Sequence, residues 1–135
     1  MLKAAAKRGV DVRILTAGAR TDVNIVRDAG RAWYGTLLEA GVRVFEWQPS
    51  TLHAKTFVAD GQWSTIGSMN FDNRSMALND ESTLMILDPT VGRQMDEIFR
   101  DDLRYAQEIT MTTFQQRSWW ARLTERLANL MTRLL

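Results

Sequence analysis

The sequence predicts an α/β fold in which helices flank a mixed β-sheet in a layered sandwich. Short segments that are apolar throughout, or that alternate apolar and polar residues, are separated by longer segments with helical periodicity. No internal repeat, low-complexity tract or linker interrupts this order. A length of 135 residues suits one domain with a buried core, and 45% hydrophobic and 24% charged residues are ordinary for a globular protein.

Five segments are predicted as strands because they are short and either rich in β-branched residues or alternating in polarity. They are Val10 to Leu15, Val42 to Glu46, Leu52 to Ala59, Trp63 to Ile66 and Glu81 to Leu87. Asp60 and Gly61 predict a hairpin turn between the third and the fourth strand. The fifth segment is apolar almost throughout, so we expect it to be buried on both faces.

Four helices are predicted from apolar residues at helical spacing and from end signals. They run from about Asp22 to Ala40, from Asn70 or Asp72 to Leu78, from Thr90 to Tyr105 and from Phe114 to Leu135. Asp22 can cap the first helix, Gly41 ends it, and Pro89 precedes the third. The first nine residues resemble the last turns of another helix, so we expect an upstream part of the protein to precede them.

Composition argues against several classes of function. The net charge of +1 gives no overall attraction to nucleic acid or to an anionic membrane, so any such preference must be local. With no cysteine and one histidine, the chain is unsuited to thiol chemistry, disulfides, and zinc or haem centres. We therefore expect no metal and no cofactor. We also expect neither a secretion signal nor a membrane span, which would need about 20 apolar residues.

The most informative region is a set of polar residues around the third and fourth predicted strands. It follows the pattern H-x-K-x4-D-x6-G-S-x-N, and its members are His53, Lys55, Asp60, Gly67, Ser68 and Asn70. Displacement at a phosphodiester requires a nucleophile and an acid for the leaving alkoxide. It also requires positive or N–H groups around the non-bridging oxygens. The pattern supplies side chains for each of these tasks.

Alternate residues of a strand face the same side, so His53 and Lys55 should lie together. His53 can serve as nucleophile or acid, and Lys55 offers a positive charge to the phosphate. Ser68 and Asn70 are two residues apart after a strand, so both can point at the same anion. These four residues are the predicted pocket.

The remaining two members of the pattern are predicted to be structural. Asp60 has the opposite parity to His53, so in a regular strand it faces away from the pocket, and we assign it a hydrogen-bonding role in the scaffold. Gly67 allows the backbone to approach closely.

The pattern resembles the HKD motif of the phospholipase D superfamily, and the resemblance covers nearly the whole chain. Its most specific part extends from Leu52 to Glu81, and the flanks from Ala5 to Leu15 and from Leu38 to Val42 are most similar to the carboxy-terminal half of bacterial cardiolipin synthases. The resemblance implies one phospholipase D-like HKD half-unit at residues 1–110. An amphipathic helix at residues 111–135 would then pack on this domain or lie at the membrane interface.

The resemblance also implies an activity. Two molecules of phosphatidylglycerol would give cardiolipin and glycerol through a phosphohistidine intermediate, peripherally on the cytoplasmic face of the bacterial inner membrane. Glu81 would be a further catalytic residue that orients the His53 imidazole, and Asn79 is a weaker candidate for the same support. The implied partner is an anionic phospholipid.

In this superfamily two HKD motifs meet at one pocket, whereas this chain contains one histidine. The second motif would come from an upstream half or from a homodimer partner, and the similarity to the second half of a synthase favours the upstream half. Two alternatives stay open, a single-motif homodimeric phosphodiesterase or nuclease and an inactive truncated domain. Few lysines or arginines occur near the motif, so nucleic acid is not the expected partner.

The carboxy-terminal segment combines apolar residues at helical spacing with arginines at other positions. The apolar set is Trp119 or Trp120, Leu123, Leu127, Leu130 and Leu134. One interpretation is a helix that faces the core. The other is an interfacial helix with tryptophan at headgroup depth and arginine on anionic phosphate.

Overall fold

The computed structural model describes residues 1–21, 24–69 and 80–134. In chain order the elements are α1 (Leu2–Lys7), β1 (Arg13–Ala17), α2 (Asn24–Arg31), α3 (Tyr34–Leu38), β2 (Arg43–Trp47), β3 (Thr56–Ala59), β4 (Trp63–Gly67), β5 (Thr83–Leu87), α4 (Pro89–Leu103), β6 (Ala106–Ile109), α5 (Met111–Gln115) and α6 (Trp119–Leu134). They form two compact units. Unit 1 comprises Met1–Leu52 and Tyr105–Leu135, and unit 2 comprises His53–Arg104.

Unit 1 is built on a mixed sheet with the strand order β1-β2-β6. β1 runs parallel to β2 with Arg13 opposite Arg43, and β6 runs antiparallel to β2 with Val44 opposite Ile109. The connection between the parallel strands contains α2 and α3, as a parallel crossover requires. A buried cluster forms on this sheet from Tyr34, Val42, Val44, Ile109 and Phe114.

A buried ionic network ties the carboxy-terminal helix to the rest of unit 1. The Glu46 carboxylate on β2 accepts from Arg27 at 3.2 Å and from Arg31 at 2.5 Å. Arg31 also donates to Glu125 on α6 at 3.2 Å, and Arg117 donates to the other Glu125 oxygen at 3.0 Å. Glu46 and Glu125 are 4% and 3% exposed. Because water hardly reaches these carboxylates, their charges are stabilised by the arginines that pair with them.

Burial alone would lower the pKa of Arg31, but the Glu46 and Glu125 carboxylates more than offset this, so its pKa is raised. The pKa of Tyr34 is raised well above its usual range, first by burial and then by the charge of Glu46. Both shifts favour one protonation pattern, in which the arginine is charged and the phenol is neutral.

Unit 2 is an antiparallel sheet with the order β3-β4-β5, and α4 lies against its strands. Helix α4 begins at Pro89 and is capped by Asp88, whose carboxylate accepts from the N–H groups of Thr90 and Val91. Gly92 on α4 has no room for a side chain, because a Cβ there would lie 2.7 Å from the Gln62 nitrogen. The helix therefore touches the backbone beside the β3–β4 turn.

The α/β prediction is confirmed, and so are several local signals. Asp60 and Gly61 form the hairpin turn, with φ of 53° and 59° at its two central residues. Gly41 ends a helix in the left-handed region, at φ 87°. The predicted cap at Asp22 and the predicted short helix after Asn70 lie outside the described residues.

The structure corrects the prediction for β5, which is exposed instead of buried on both faces. Leu84, Met85 and Leu87 are 62%, 70% and 81% exposed. Leu84 and Met85 have opposite parity, so the exposure concerns both faces. β5 is the edge strand of the described sheet, and helix α4 packs more on β3 and β4 than on β5, so little of unit 2 covers its side chains.

Four further differences concern the number of sheets and the number and bounds of the elements. Instead of one mixed sheet, the described strands form two sheets of three. The predicted helix up to Ala40 is divided between α2 and α3, because the N–H of Trp33 bonds to the carbonyl of Gly30 in a tight turn and glycine weakens the helix there. Strand β6 was not predicted, and the last helix is divided into α5 and α6 at Ser118, whose hydroxyl caps α6 through the N–H of Ala121. No helix in the described ranges is long and apolar enough to cross a membrane.

Candidate active site

The motif residues of unit 2 collect at one end of its sheet. Because the three strands are antiparallel, the start of β3, the end of β4 and the start of β5 lie side by side. The ladder continues one step beyond β3, where the N–H of Gly67 donates to the carbonyl of Lys55 at 3.1 Å. It also continues beyond β4, where the N–H of Ser68 donates to the carbonyl of Ser82 at 3.0 Å. The candidate site is therefore built on hydrogen-bonded strand ends.

His53 and Lys55 precede β3 instead of lying within it, because the strand begins at Thr56. The Lys55 ammonium donates to the carbonyl oxygen of His53 at 2.8 Å. His53 is exposed and Lys55 is half-buried. The Lys55 ammonium is therefore held at the backbone of His53.

Ser68 and Glu81 are joined directly. The Ser68 hydroxyl donates to Glu81 Oε2 at 2.5 Å and accepts from the N–H of Ser82 at 3.1 Å. A hydroxyl has one proton, so Ser68 cannot donate to a second acceptor while it is bonded to Glu81. This contact fixes the carboxylate at the start of β5.

Gly67 is required by the sheet itself. A Cβ at this position would lie 2.5 Å from the Ser82 carbonyl oxygen and 2.6 Å from the Thr83 hydroxyl. The close approach is therefore between β4 and the neighbouring strand β5, and any larger residue would separate them.

Asp60 lies at the opposite end of β3, in the turn to β4. Its φ of 53° is in the left-handed region, which aspartate tolerates better than most residues. The turn is closed by the bond from the N–H of Gln62 to the carbonyl of Ala59 at 3.0 Å. Asp60 is exposed there and belongs to the hairpin.

Two predicted site residues, Asn70 and Asn79, lie outside the described residues. Ser82 was not predicted, yet both of its backbone groups hold Ser68. No feature of the sequence distinguishes it, because these bonds depend on strand register. Within the described parts of the chain, no group of three or more histidine, aspartate or glutamate side chains could hold a metal ion.

The arrangement has the parts of a phosphoryl-handling site. An exposed imidazole, an ammonium bonded to the carbonyl oxygen of the same histidine and a hydroxyl–carboxylate pair lie at the ends of adjacent strands. An imidazole can attack phosphorus or transfer a proton, and an ammonium stabilises the charge on the non-bridging oxygens.

Comparison with known proteins gives consistent results. A family model described as "Cardiolipin synthase, PLD-like domain" matches residues 1–103. The cardiolipin synthase of Geobacillus thermodenitrificans (strain NG80-2) is 39% identical over 134 residues, which are 99% of this chain and 26% of that protein. Cardiolipin synthase A of Serratia proteamaculans (strain 568) is 39% identical over 123 residues, which are 91% of this chain and 25% of that protein. The chain spans about a quarter of the length of these curated relatives.

A solved structure confirms the predicted fold family. The crystal structure of the phospholipase D family member Nuc from Salmonella typhimurium matches with a TM-score of 0.65 and 22% identity. The match covers 80% of this chain and 70% of that one, and at this identity it establishes the fold alone. Together with the family model, it shows that the chain belongs to the phospholipase D-like family of the cardiolipin synthase type.

Proposed function

We propose that this chain is one catalytic half of a phosphatidyl transferase of the cardiolipin synthase type. The observation that carries the proposal is the assembly of His53, Lys55, Ser68 and Glu81 on adjacent strand ends of unit 2. The curated relatives are named cardiolipin synthases, which supports transfer to an alcohol as the reaction.

The reaction has two displacements at one phosphorus atom. A histidine nitrogen attacks the phosphorus of phosphatidylglycerol, the bond from phosphorus to the glycerol oxygen breaks, and a second histidine protonates the leaving alkoxide. The hydroxyl of another phosphatidylglycerol then attacks the phosphohistidine phosphorus and passes its proton to the second histidine, and the bond from phosphorus to the histidine nitrogen breaks. Cardiolipin and glycerol are released, and both histidines are restored. His53 supplies one of these two functions.

The neighbouring residues stabilise charge and orientation. Lys55 and Asn70 bind the non-bridging oxygens, and Glu81 orients the His53 imidazole, with Asn79 as supporting residue. The Ser68 hydroxyl donates its single proton to Glu81 in the resting site and to the phosphate when substrate is bound. Asp60 and Gly67 act through the hairpin and the β4–β5 contact.

A second histidine is needed, because the chain contains one. We propose that it comes from a second HKD half, either on the same polypeptide or in a second copy of this chain. We propose that the enzyme acts on phosphatidylglycerol peripherally, on the cytoplasmic face of the bacterial inner membrane. The domain comprises residues 1–110, followed by the carboxy-terminal amphipathic segment.

The single histidine also supports a second candidate, a homodimeric phosphodiesterase. In that case water would take the place of the acceptor lipid. A third possibility is a domain that folds but lacks turnover for want of the second histidine. The products and the oligomeric state separate these cases.

The test is conversion of phosphatidylglycerol by the protein with its second half present. We expect cardiolipin and glycerol in equal amounts, and loss of at least about 10²-fold in rate for His53→Asn and for Lys55→Met. Lys7→Met removes an exposed lysine from α1 and serves as the matched control. Formation of phosphatidic acid without cardiolipin would show that the reaction is hydrolysis and not transfer. Absence of any product would reject the proposal.

A further inference from the structure

Helix α6 has two opposite faces, and the side chains described on them differ in burial. Glu125 and Ala128 are 3% and 5% exposed, and Glu125 is bonded to Arg31 of α2 and to Arg117. The helix is therefore fixed on α2 by a charged residue and a small residue. Among the side chains of α6 that the structure describes, the large apolar ones stay at least 41% exposed.

The opposite face is apolar and exposed. Trp119 and Trp120 are each 61% exposed, Leu123 is 41% exposed and Leu127 is 52% exposed. Their spacing places them on one side of the helix, here named the Trp–Leu face. The two indole rings stack with centroids 3.8 Å apart. Tryptophan pairs that are exposed to this degree on a docked helix are costly in water, so the face is suited to a less polar environment.

The carboxy-terminal segment that carries this face has an excess of positive charge. Residues 111–135 contain four arginines, Arg117, Arg122, Arg126 and Arg133, and one acidic residue, Glu125. Glu125 is buried and already shared by two arginines. Arg122 follows Trp119 by three positions, is exposed, and bonds to the carbonyl oxygen of Gln115. Within the described ranges, it forms no ion pair.

We infer that the Trp–Leu face is a docking surface for an anionic lipid bilayer. Tryptophan and leucine would enter the headgroup region, and Arg122 would lie against lipid phosphate. A second copy of α6 fits less well, because it would offer Arg122 no exposed carboxylate: the one acidic residue of residues 111–135, Glu125, is buried and already paired. The inference rests on the proposed function for the choice of phosphatidylglycerol as the anionic lipid.

The test is binding of the whole chain to vesicles of equal parts phosphatidylglycerol and phosphatidylcholine, compared with phosphatidylcholine alone. Brominated lipids in the first vesicles report depth, since they quench only tryptophans that enter the bilayer. We expect strong quenching for the unaltered chain, and loss of most of it in the double variant Trp119→Phe/Trp120→Phe, which keeps the apolar face. Absence of quenching would overturn the inference without requiring any variant to fold.

Affinity is measured with polar variants. Trp119→Ser/Trp120→Ser is expected to weaken binding at least about tenfold, and Arg122→Gln about fivefold on phosphatidylglycerol vesicles only. Leu84→Ser/Met85→Ser removes exposed apolar residues from β5 and is the matched control, with a change below about twofold. An equal loss of vesicle affinity in both double variants would overturn the assignment of the Trp–Leu face as the membrane-docking surface.

Binding and chemistry can fail separately. His53→Asn should bind vesicles as the unaltered chain does while losing turnover, so failure of the proposed reaction leaves vesicle binding unaffected. If Trp119→Ser/Trp120→Ser instead converts a dimer to a monomer in light scattering and leaves vesicle binding unchanged, the face is a protein interface and the inference is wrong.

Discussion

At the scale of single residues, Ser68 is the member of the site whose contacts say most about its role. Its hydroxyl donates to Glu81 and accepts from the N–H of Ser82, so both of its functions are in use before any substrate is present. A phosphate would therefore compete with Glu81 for the same proton. The two side chains should act as a unit.

A double-mutant cycle tests this coupling. Ser68→Ala and Glu81→Gln should each lower kcat by about tenfold or more, and the double variant should be close to the worse single variant, because each change removes the same contact. Ser82→Ala is the control, since Ser82 contributes backbone groups to the described contacts with Ser68. Losses that multiply in the double variant would show that Ser68 and Glu81 act independently.

Asp88 offers a prediction about pH. Hydrogen bonds from the N–H groups of Val91 and Thr90 lower the pKa of this carboxyl below its ordinary value of 3.8. The contribution of the charged cap to stability is therefore complete above about pH 4 and is lost as the pH falls through the lower, folded-state pKa. We expect Asp88→Asn, in which the cap remains neutral, to be less stable than the unaltered chain at pH 7.

The difference between Asp88→Asn and the unaltered chain should shrink steadily in thermal melts below about pH 4. Asp101→Asn, near the other end of α4, is the control for removing one carboxylate elsewhere. A stability difference that stays constant from pH 7 to pH 2 would contradict the proposed charge effect.

At the scale of elements, the network around Glu46 and Glu125 holds α2, β2 and α6 together. Replacing Glu46 with glutamine leaves Arg27 and Arg31 without their main counter-charge in a buried setting. We expect Glu46→Gln to lower the free energy of unfolding by about 3 kcal/mol or more in urea titrations. Glu108→Gln breaks an exposed pair with Arg43 on the same sheet and should cost less than about 1 kcal/mol. An equal loss of unfolding free energy in both variants would show that burial does not strengthen the dependence on the Glu46 ion pairs.

The contact of α4 with the β3–β4 turn gives a second prediction at this scale. Gly92→Ala would bring a methyl group within 2.5 Å of the Gly61 carbonyl carbon, so we expect a loss of about 1–3 kcal/mol in unfolding free energy. Gly30→Ala, where a methyl group meets nothing within 4 Å, should be neutral or stabilising by up to about 1 kcal/mol. A neutral Gly92→Ala would show that the helix can move away from the turn without cost.

The same elements show which features can be predicted from the sequence. The Asp60–Gly61 turn, the end of α3 at Gly41 and the start of α4 near Pro89 depend on neighbouring residues, and all three were predicted. The exposure of β5 and the pairing of β6 depend on which strands lie beside them, and local sequence carries little of that information. Periodicity indicated that the last segment is amphipathic, but the partners of Glu125 decide which face is buried.

The candidate site divides in the same way. Spacing within the motif identified His53, Lys55 and Ser68 as members of one group, and the family resemblance added Glu81. The bond between Ser68 and Glu81, and the part played by Ser82, come from the register of β4 and β5. A single sequence gives the residue types for phosphate chemistry more readily than their hydrogen-bond partners.

At the scale of the whole molecule, one histidine per chain sets the limit on catalysis. We expect turnover only when a second histidine-bearing half is present, because attack and leaving-group protonation need two separate groups. Light scattering and activity, measured over the same range of concentrations, test this. A monomer that turns over phosphatidylglycerol at a rate per chain independent of concentration would contradict it.

The central claim is that His53 takes part in phosphatidyl transfer. The most direct measurement follows phosphatidylglycerol labelled in its phosphate during reaction with the protein and its second half, and compares the unaltered chain with His53→Asn. The account predicts labelled cardiolipin, and an acid-labile label on protein in reactions stopped before completion, with both reduced at least about 10²-fold by His53→Asn. Cardiolipin formation at an undiminished rate in the His53→Asn variant would contradict it.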